Sequence, residues 1–124
     1  MGLTDLARRI AAQPDEDLRW RLLLGFLDEF AHADSTLQAS SIVDEPVATN
    51  DRKWDVMLAA VAEHLAYAHD LPIPLWVRNP EREWLGHVWW VVELPSARPW
   101  ALAHSPAAFR RRGIFLHPDD LAVA

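Results

Sequence analysis

Histidine is the residue type in this sequence with the greatest potential for chemistry, because its ring titrates near neutral pH and ligates metals. His64 and His69 lie five positions apart, which is about 140° around a helix, so their rings cannot converge on one metal ion. His87, His104 and His117 lie in separate segments, and no HExxH motif occurs. We therefore predict no metal site, and the sequence alone leaves open whether these five histidines meet in space.

Other catalytic and nucleotide-binding patterns are missing. The sequence contains no cysteine, which excludes a thiol nucleophile, a thiolate metal site and a disulfide. Ser105 follows His104, but no GxSxG turn surrounds it, and a helix N-cap explains the serine. The four glycines are isolated, so no glycine-rich phosphate loop exists. These patterns favour a non-enzymatic protein with no catalytic residues and no cofactor.

Arginine and tryptophan are the residue types that suggest binding. The run from Arg110 to Arg112 is the only basic cluster, and guanidinium groups form bidentate bonds to carboxylates and phosphates. The same arginines would also oppose the negative end of a short helix dipole. Five of the seven tryptophans lie between positions 76 and 100, and tryptophan and arginine often anchor protein interfaces. The predicted partner-binding residues are Arg110, Arg111, Arg112, Trp89, Trp90 and Trp100.

The charge of the chain narrows the class of partner. The formal net charge is −6, and residues 1–50 carry nine acids against four bases. An acidic chain is poorly suited to bind nucleic acid or an anionic membrane by itself. The N-terminal segment lacks the apolar core of a signal peptide, and no apolar run approaches about 18 residues. We therefore expect a cytoplasmic protein with a protein partner, of unknown oligomeric state.

The longest helical pattern runs over residues 51–69. Asp51 is suited to the N-cap position, because its carboxylate can accept hydrogen bonds from the first turn. Pro72 ends the pattern, since proline has no amide hydrogen and disfavours a helical residue before it. The apolar positions recur every three or four residues at Trp54, Leu58, Val61 and Leu65. This spacing predicts a central, largely enclosed helix.

Shorter elements surround the predicted central helix. Helices are expected at 5–12 with Thr4 as N-cap, at 18–31, at 35–43, at 96–104 and at 106–112. Ser35 and Gln38 match a capping box, and Ser105 and Gly113 suit the two caps of the last helix. The run 84–94 contains residues typical of strands, but we interpret it as a helix because the sequence offers no obvious partner strand. The predicted fold is a single all-α domain, residues 1–124, with five to seven helices.

Several segments resemble a known group of proteins. The segments WDVMLAAVAEHLAYAHDLPIPLWV, WW, SPAAFRRRGIFL and DDLA are similar to those of small, mostly uncharacterised actinobacterial proteins, over Trp54 to Leu121. Members of that group look like the non-catalytic partner in toxin–antitoxin-type gene pairs, and sometimes form the C-terminal part of helix-turn-helix regulators. The resemblance implies an antitoxin-like role in binding a protein partner, such as a cognate toxin or regulator, and brings no catalytic residues with it.

Two other functions stay open beside a non-enzymatic, antitoxin-like or regulatory protein. The first is a DNA-binding transcriptional regulator that uses Arg110 to Arg112, although the region before Trp54 is acidic and contains no basic recognition helix. The second is a small enzyme whose histidine site is assembled by the fold.

Overall fold

A helix of 17 residues, α4 (Arg52–Ala68), lies at the centre of the computed structural model, which describes residues 2–121. Asp51 is its N-cap, as predicted, and the carboxylate accepts a hydrogen bond from the amide of Lys53 at 3.0 Å. Ten of the 17 residues are buried. Tyr67 is 83% exposed, so the C-terminal turn of α4 is open to solvent.

Three helices precede α4. They are α1 (Leu3–Ala12), α2 (Glu16–His32) and α3 (Ser35–Val43). The N-cap of α1 is Gly2 rather than the predicted Thr4. The predicted capping box is also wrong, because Asp34 caps α3 by accepting from the amide of Leu37 at 2.9 Å. Gln38 instead turns inward and donates to the carbonyl of Phe30.

The part of the chain after α4 contains short elements. A 3₁₀ turn (Leu75–Arg78) leads into α5 (Pro80–Glu83), and a second 3₁₀ turn (Pro95–Ala97) leads into α6 (Arg98–His104). These are followed by α7 (Ala107–Arg110) and a 3₁₀ turn (Pro118–Leu121). Ser105 does not cap α7, because its hydroxyl bonds to the backbone of Leu116 instead. Seven helices in the described residues confirm the predicted all-α class.

The prediction of a helix over 84–94 is wrong. Trp89–Trp90 forms a short strand, β1, which pairs in parallel with β2 (Ile114–Phe115). The amide of Trp89 donates to the carbonyl of Gly113 at 2.8 Å, and the amide of Val91 donates to the carbonyl of Phe115 at 2.9 Å. The partner strand that the sequence did not reveal therefore comes from the segment after α7.

Gly113 makes this pairing possible. Its φ is +86°, a left-handed conformation that glycine adopts without steric cost. A Cβ atom built at this position would lie 2.5 Å from a ring carbon of Trp84. Gly113 thus has the predicted left-handed conformation and approaches Trp84 closely. It does not directly follow the last helix as predicted, because α7 ends at Arg110 and Arg111 is its C-cap.

One hydrophobic cluster joins side chains from α1, α2, α3, α4 and α7. Trp54 is fully buried in it, with the rings of Trp20 and Trp89 at 5.4 and 5.8 Å. The indole nitrogen of Trp54 donates to Glu16 at 2.9 Å, so its polar atom is also paired. Across residues 2–121, no helix has the length and apolar character needed to cross a membrane.

Leu58→Ala and Leu65→Ala should each lower the free energy of unfolding by about 2–5 kcal/mol, because both side chains are buried on α4 and their removal leaves a cavity. Tyr67→Ala on the same helix is the control, and we expect a change within about 0.5 kcal/mol because the side chain is exposed. Denaturant titration measures all three. Equal, small losses at the three positions would contradict the buried position of α4.

Candidate functional site

Arg112 lies in the interior rather than on the predicted partner-binding surface, and its side chain is fully buried. Its Nε donates to the carbonyl of Arg82 at 2.8 Å, and Nη1 donates to the carbonyl of Ala108 at 2.8 Å. Its Nη2 donates to the carbonyl of Val77 at 2.9 Å and to Glu63 Oε1 at 3.2 Å. A buried guanidinium with these partners holds segments together, and it is inaccessible to a second protein.

Burial lowers the pKa of Arg112, and the nearby carboxylate of Glu63 opposes that effect. The guanidinium keeps its proton, because the ordinary pKa of arginine is far above neutral pH. The buried group is therefore a cation paired with a carboxylate that is only 12% exposed. Such a pair is tolerated in an interior when further hydrogen bonds satisfy the buried groups, and each nitrogen of this guanidinium has at least one acceptor.

The other two arginines of the cluster differ from Arg112 and from each other. Arg111 Nη2 lies 2.6 Å from Glu63 Oε1 and 3.5 Å from Glu83 Oε1. Arg110 is exposed, and its side chain forms no hydrogen bond or ion pair with the described residues. The three arginines thus do not form one basic surface, because the chain turns inward at Arg112.

The three tryptophans of the predicted interface also occupy different places. Trp89 packs with Trp20 and Trp54, and the ammonium of Lys53 lies 4.7 Å from its ring. The ring centroids of Trp90 and Phe115 lie 4.9 Å apart. Trp100 is 49% exposed and lies on α6. The residues predicted to form one partner-binding site are therefore in different surroundings: Trp89 and Trp90 are half-buried on β1, whereas Trp100 is exposed on α6.

Two histidines, His104 and His117, come close to the same tryptophan, which the sequence alone could not show. His104 and His117 both lie against the ring of Trp100, at centroid distances of 3.8 and 5.4 Å. His69 contacts Phe30, whereas His64 contacts Phe109, so these two rings face different neighbours. Within residues 2–121, no group of three or more potential ligands is arranged to hold a metal ion.

A groove between α2 and the segment after β1 was not predicted. Its volume is about 570 Å³. We call it the acidic groove, and it is lined by Asp17, Trp20, Leu24, Val91, Val92, Glu93, Leu94, Ala97, His117 and Asp120. The apolar side chains Trp20, Leu24 and Val91 are half-buried and packed on the core.

The aspartate and glutamate side chains among the lining residues give the acidic groove its charge. Asp17, Glu93 and Asp120 are exposed carboxylates, and no lysine or arginine is among the described residues that line the groove. Asp120 is held in place because its Oδ2 accepts from the amide of His117 at 2.9 Å. An apolar surface surrounded by carboxylates can bury apolar side chains and attract cations.

Two of the three predicted tryptophans, Trp89 and Trp100, contact residues that line the acidic groove. Trp89 lies 6.3 Å from Trp20, which lines the groove, and Trp100 stacks on His117, which also lines it. The sequence prediction did not include Asp17, Glu93 or Asp120. The groove combines three segments that are far apart in the chain, and no local pattern indicates that they meet.

No protein-family model matches this chain, and no curated protein or solved structure matches it either. The candidate site therefore rests on the geometry and charge of the chain itself. In the acidic groove, exposed carboxylates and half-buried apolar surface come together around a volume of about 570 Å³.

Arg112→Ala should lower the free energy of unfolding by about 3–5 kcal/mol, because it leaves Glu63 without its buried partner and three carbonyls without a donor. Arg110→Ala removes the same charge from an exposed position two residues away, and should change stability by no more than about 0.5 kcal/mol. Urea denaturation followed by circular dichroism measures both. Equal effects would show that Arg112 is solvated.

His64 should make folding sensitive to pH. Burial and the neighbouring charge of His69 lower its pKa below the ordinary 6.5, so the unfolded chain takes up the proton first as pH falls. The contribution of neutral His64 to the free energy of unfolding is complete above about pH 6.5. It is lost as the pH falls from 6.5 through the lower pKa that His64 has in the folded state. Relative to His64→Gln, the wild type should lose stability on acidification through this window.

The control for this experiment is His87→Gln, which changes an exposed histidine. Denaturant titrations at several pH values compare the three proteins. If the difference between the wild type and His64→Gln is independent of pH, the ring of His64 is not desolvated in the folded state.

Proposed function

We propose that this protein is a non-enzymatic regulatory module of antitoxin-like type, which acts in the cytoplasm by binding a protein partner in the acidic groove. One observation carries the proposal: half-buried apolar side chains lie in a groove whose exposed charged residues are all carboxylates. The antitoxin-like part rests on the sequence resemblance described above. The partner-binding part rests on the groove.

The chemistry of the groove specifies the partner. Leu94 is 67% exposed, and Trp20 and Leu24 present further apolar surface, so the partner should insert apolar side chains here. Each buried methylene contributes about 0.8 kcal/mol to such an association. Lysines or arginines beside those apolar side chains would then face Asp17, Glu93 and Asp120. We therefore propose a basic, amphipathic segment of a protein as the occupant.

A protein partner fits this surface better than DNA. Phosphates would be repelled by the groove carboxylates and by a chain of net charge −6. The basic cluster that favoured DNA binding provides fewer free charges than its sequence suggests, because Arg112 is buried and Arg111 is paired with Glu63. The remaining free guanidinium of that cluster is Arg110, and one charge supplies little of the phosphate contact that DNA binding requires.

Selection from a random peptide library should enrich basic, amphipathic peptides. Their affinity should fall by about tenfold or more in the variant Asp17→Asn, Glu93→Gln, Asp120→Asn, because the three carboxylates supply the attraction to lysine and arginine. Calorimetric titration at low and high salt measures the effect, which should shrink as salt screens the charges.

The matched control is Asp28→Asn, Asp44→Asn, Glu81→Gln, which removes the same three charges at exposed positions outside the groove. Equal weakening by both triple variants would attribute binding to net charge and contradict the groove. Titration with the product of the adjacent gene tests the antitoxin-like role separately. The absence of any complex would contradict that role, while the peptide result would still decide the function of the groove.

A further inference from the structure

A second cavity, of about 420 Å³, lies between α4, the 3₁₀ turn Leu75–Arg78 and the start of α7. We call it the His64 pocket, and it is lined by Glu63, His64, Tyr67, Ile73, Arg78, Pro106, Ala107 and Ala108. It shares no residue with the acidic groove. We propose that the His64 pocket binds a small organic monocarboxylate, with the apolar body inside and the carboxylate on Arg78.

The walls of the His64 pocket are suited to an apolar body. Ile73, Pro106, Ala107 and Ala108 present aliphatic surface, and Tyr67 adds an aromatic side chain that is 83% exposed. A large exposed tyrosine beside an exposed isoleucine gives a ligand apolar area to cover. The volume lies within the range of about 300–1,000 Å³ that is typical of small-molecule sites.

The polar groups of the His64 pocket determine the charge of the ligand. Arg78 is exposed, and its guanidinium has no hydrogen-bond or ion-pair partner among the described residues. The negative charge of Glu63 is already balanced, because Arg111 and Arg112 lie 2.6 and 3.2 Å from its Oε1. The unpaired charge facing the pocket is therefore positive, and its bidentate geometry suits a carboxylate.

The other polar side chains limit the ligand to one negative charge. The lowered pKa of His64 keeps its ring neutral at neutral pH, because burial disfavours the charged form and His69 adds repulsion. Tyr67 contributes a neutral hydroxyl that can donate one hydrogen bond. With Arg78 as the single free cation among the lining residues, a dianion would leave one charge unpaired.

The test uses 3-phenylpropanoate as the probe and the neutral 3-phenylpropanamide as its uncharged counterpart. Two-dimensional amide NMR titration of the full chain should show saturable shifts at Tyr67, Ile73 and Ala107 with the acid. The amide should bind about tenfold more weakly, because it cannot form the charged bond with Arg78.

Variants assign the binding to named side chains. Arg78→Gln should lower the affinity for the acid by about tenfold and leave the affinity for the amide unchanged, so that the variant no longer prefers the acid. Ala107→Leu should abolish binding of both the acid and the amide, because the larger side chain occupies the cavity. Arg21→Gln, which removes an exposed arginine on α2 outside the pocket, is the control and should change neither affinity.

Equal affinity for acid and amide in the wild type would overturn the assignment of Arg78. Shifts that do not saturate, or that persist in Ala107→Leu, would overturn the pocket itself. Either result leaves the acidic groove unaffected, because the two sites have no lining residue in common.

Discussion

The fold depends on the buried guanidinium of Arg112. It donates to carbonyl groups of α5, of the 3₁₀ turn before α5 and of α7, and it pairs with Glu63 on α4. Removing a charge from water is costly, and the cost is offset only when every donor finds an acceptor. Four segments must therefore be in place together. Because Gly113 follows Arg112 directly, the same interaction fixes where the chain turns back to form β2.

Both candidate sites depend on that placement. The position of α7 against α4 puts Ala107 and Ala108 opposite His64, which encloses the His64 pocket. Pairing of β2 with β1 puts Val91 and the residues after it beside α2, which forms the acidic groove. A second buried guanidinium, that of Arg82, binds Glu45 and the carbonyls of Pro46 and Asp55, and so fixes the loop before α4. The short, irregular elements are therefore positioned by these two arginines as well as by the apolar side chains that they bury in the hydrophobic cluster.

The sequence predicted what local patterns determine. The long helices and the Asp51 cap follow from periodicity and from the hydrogen-bonding needs of helix ends. The failures concern contacts between distant residues. A strand over Trp89–Trp90 is stable only with Ile114–Phe115, and three consecutive arginines at a helix end look solvated until Glu63 is known to lie beneath them. Neither the acidic groove nor the His64 pocket leaves a local pattern, because each combines at least three segments.

The most direct measurement is a double-mutant cycle between Arg112 and Glu63. Unfolding free energies of Arg112→Met, Glu63→Gln and the double variant give the coupling energy of the pair. We expect a coupling energy of about 1.5 kcal/mol or more for Arg112 and Glu63. For Arg111→Met with Glu63→Gln we expect a smaller one, below about 1 kcal/mol, since Arg111 is partly solvated. A coupling near zero for Arg112 and Glu63 would contradict the central role of the buried guanidinium.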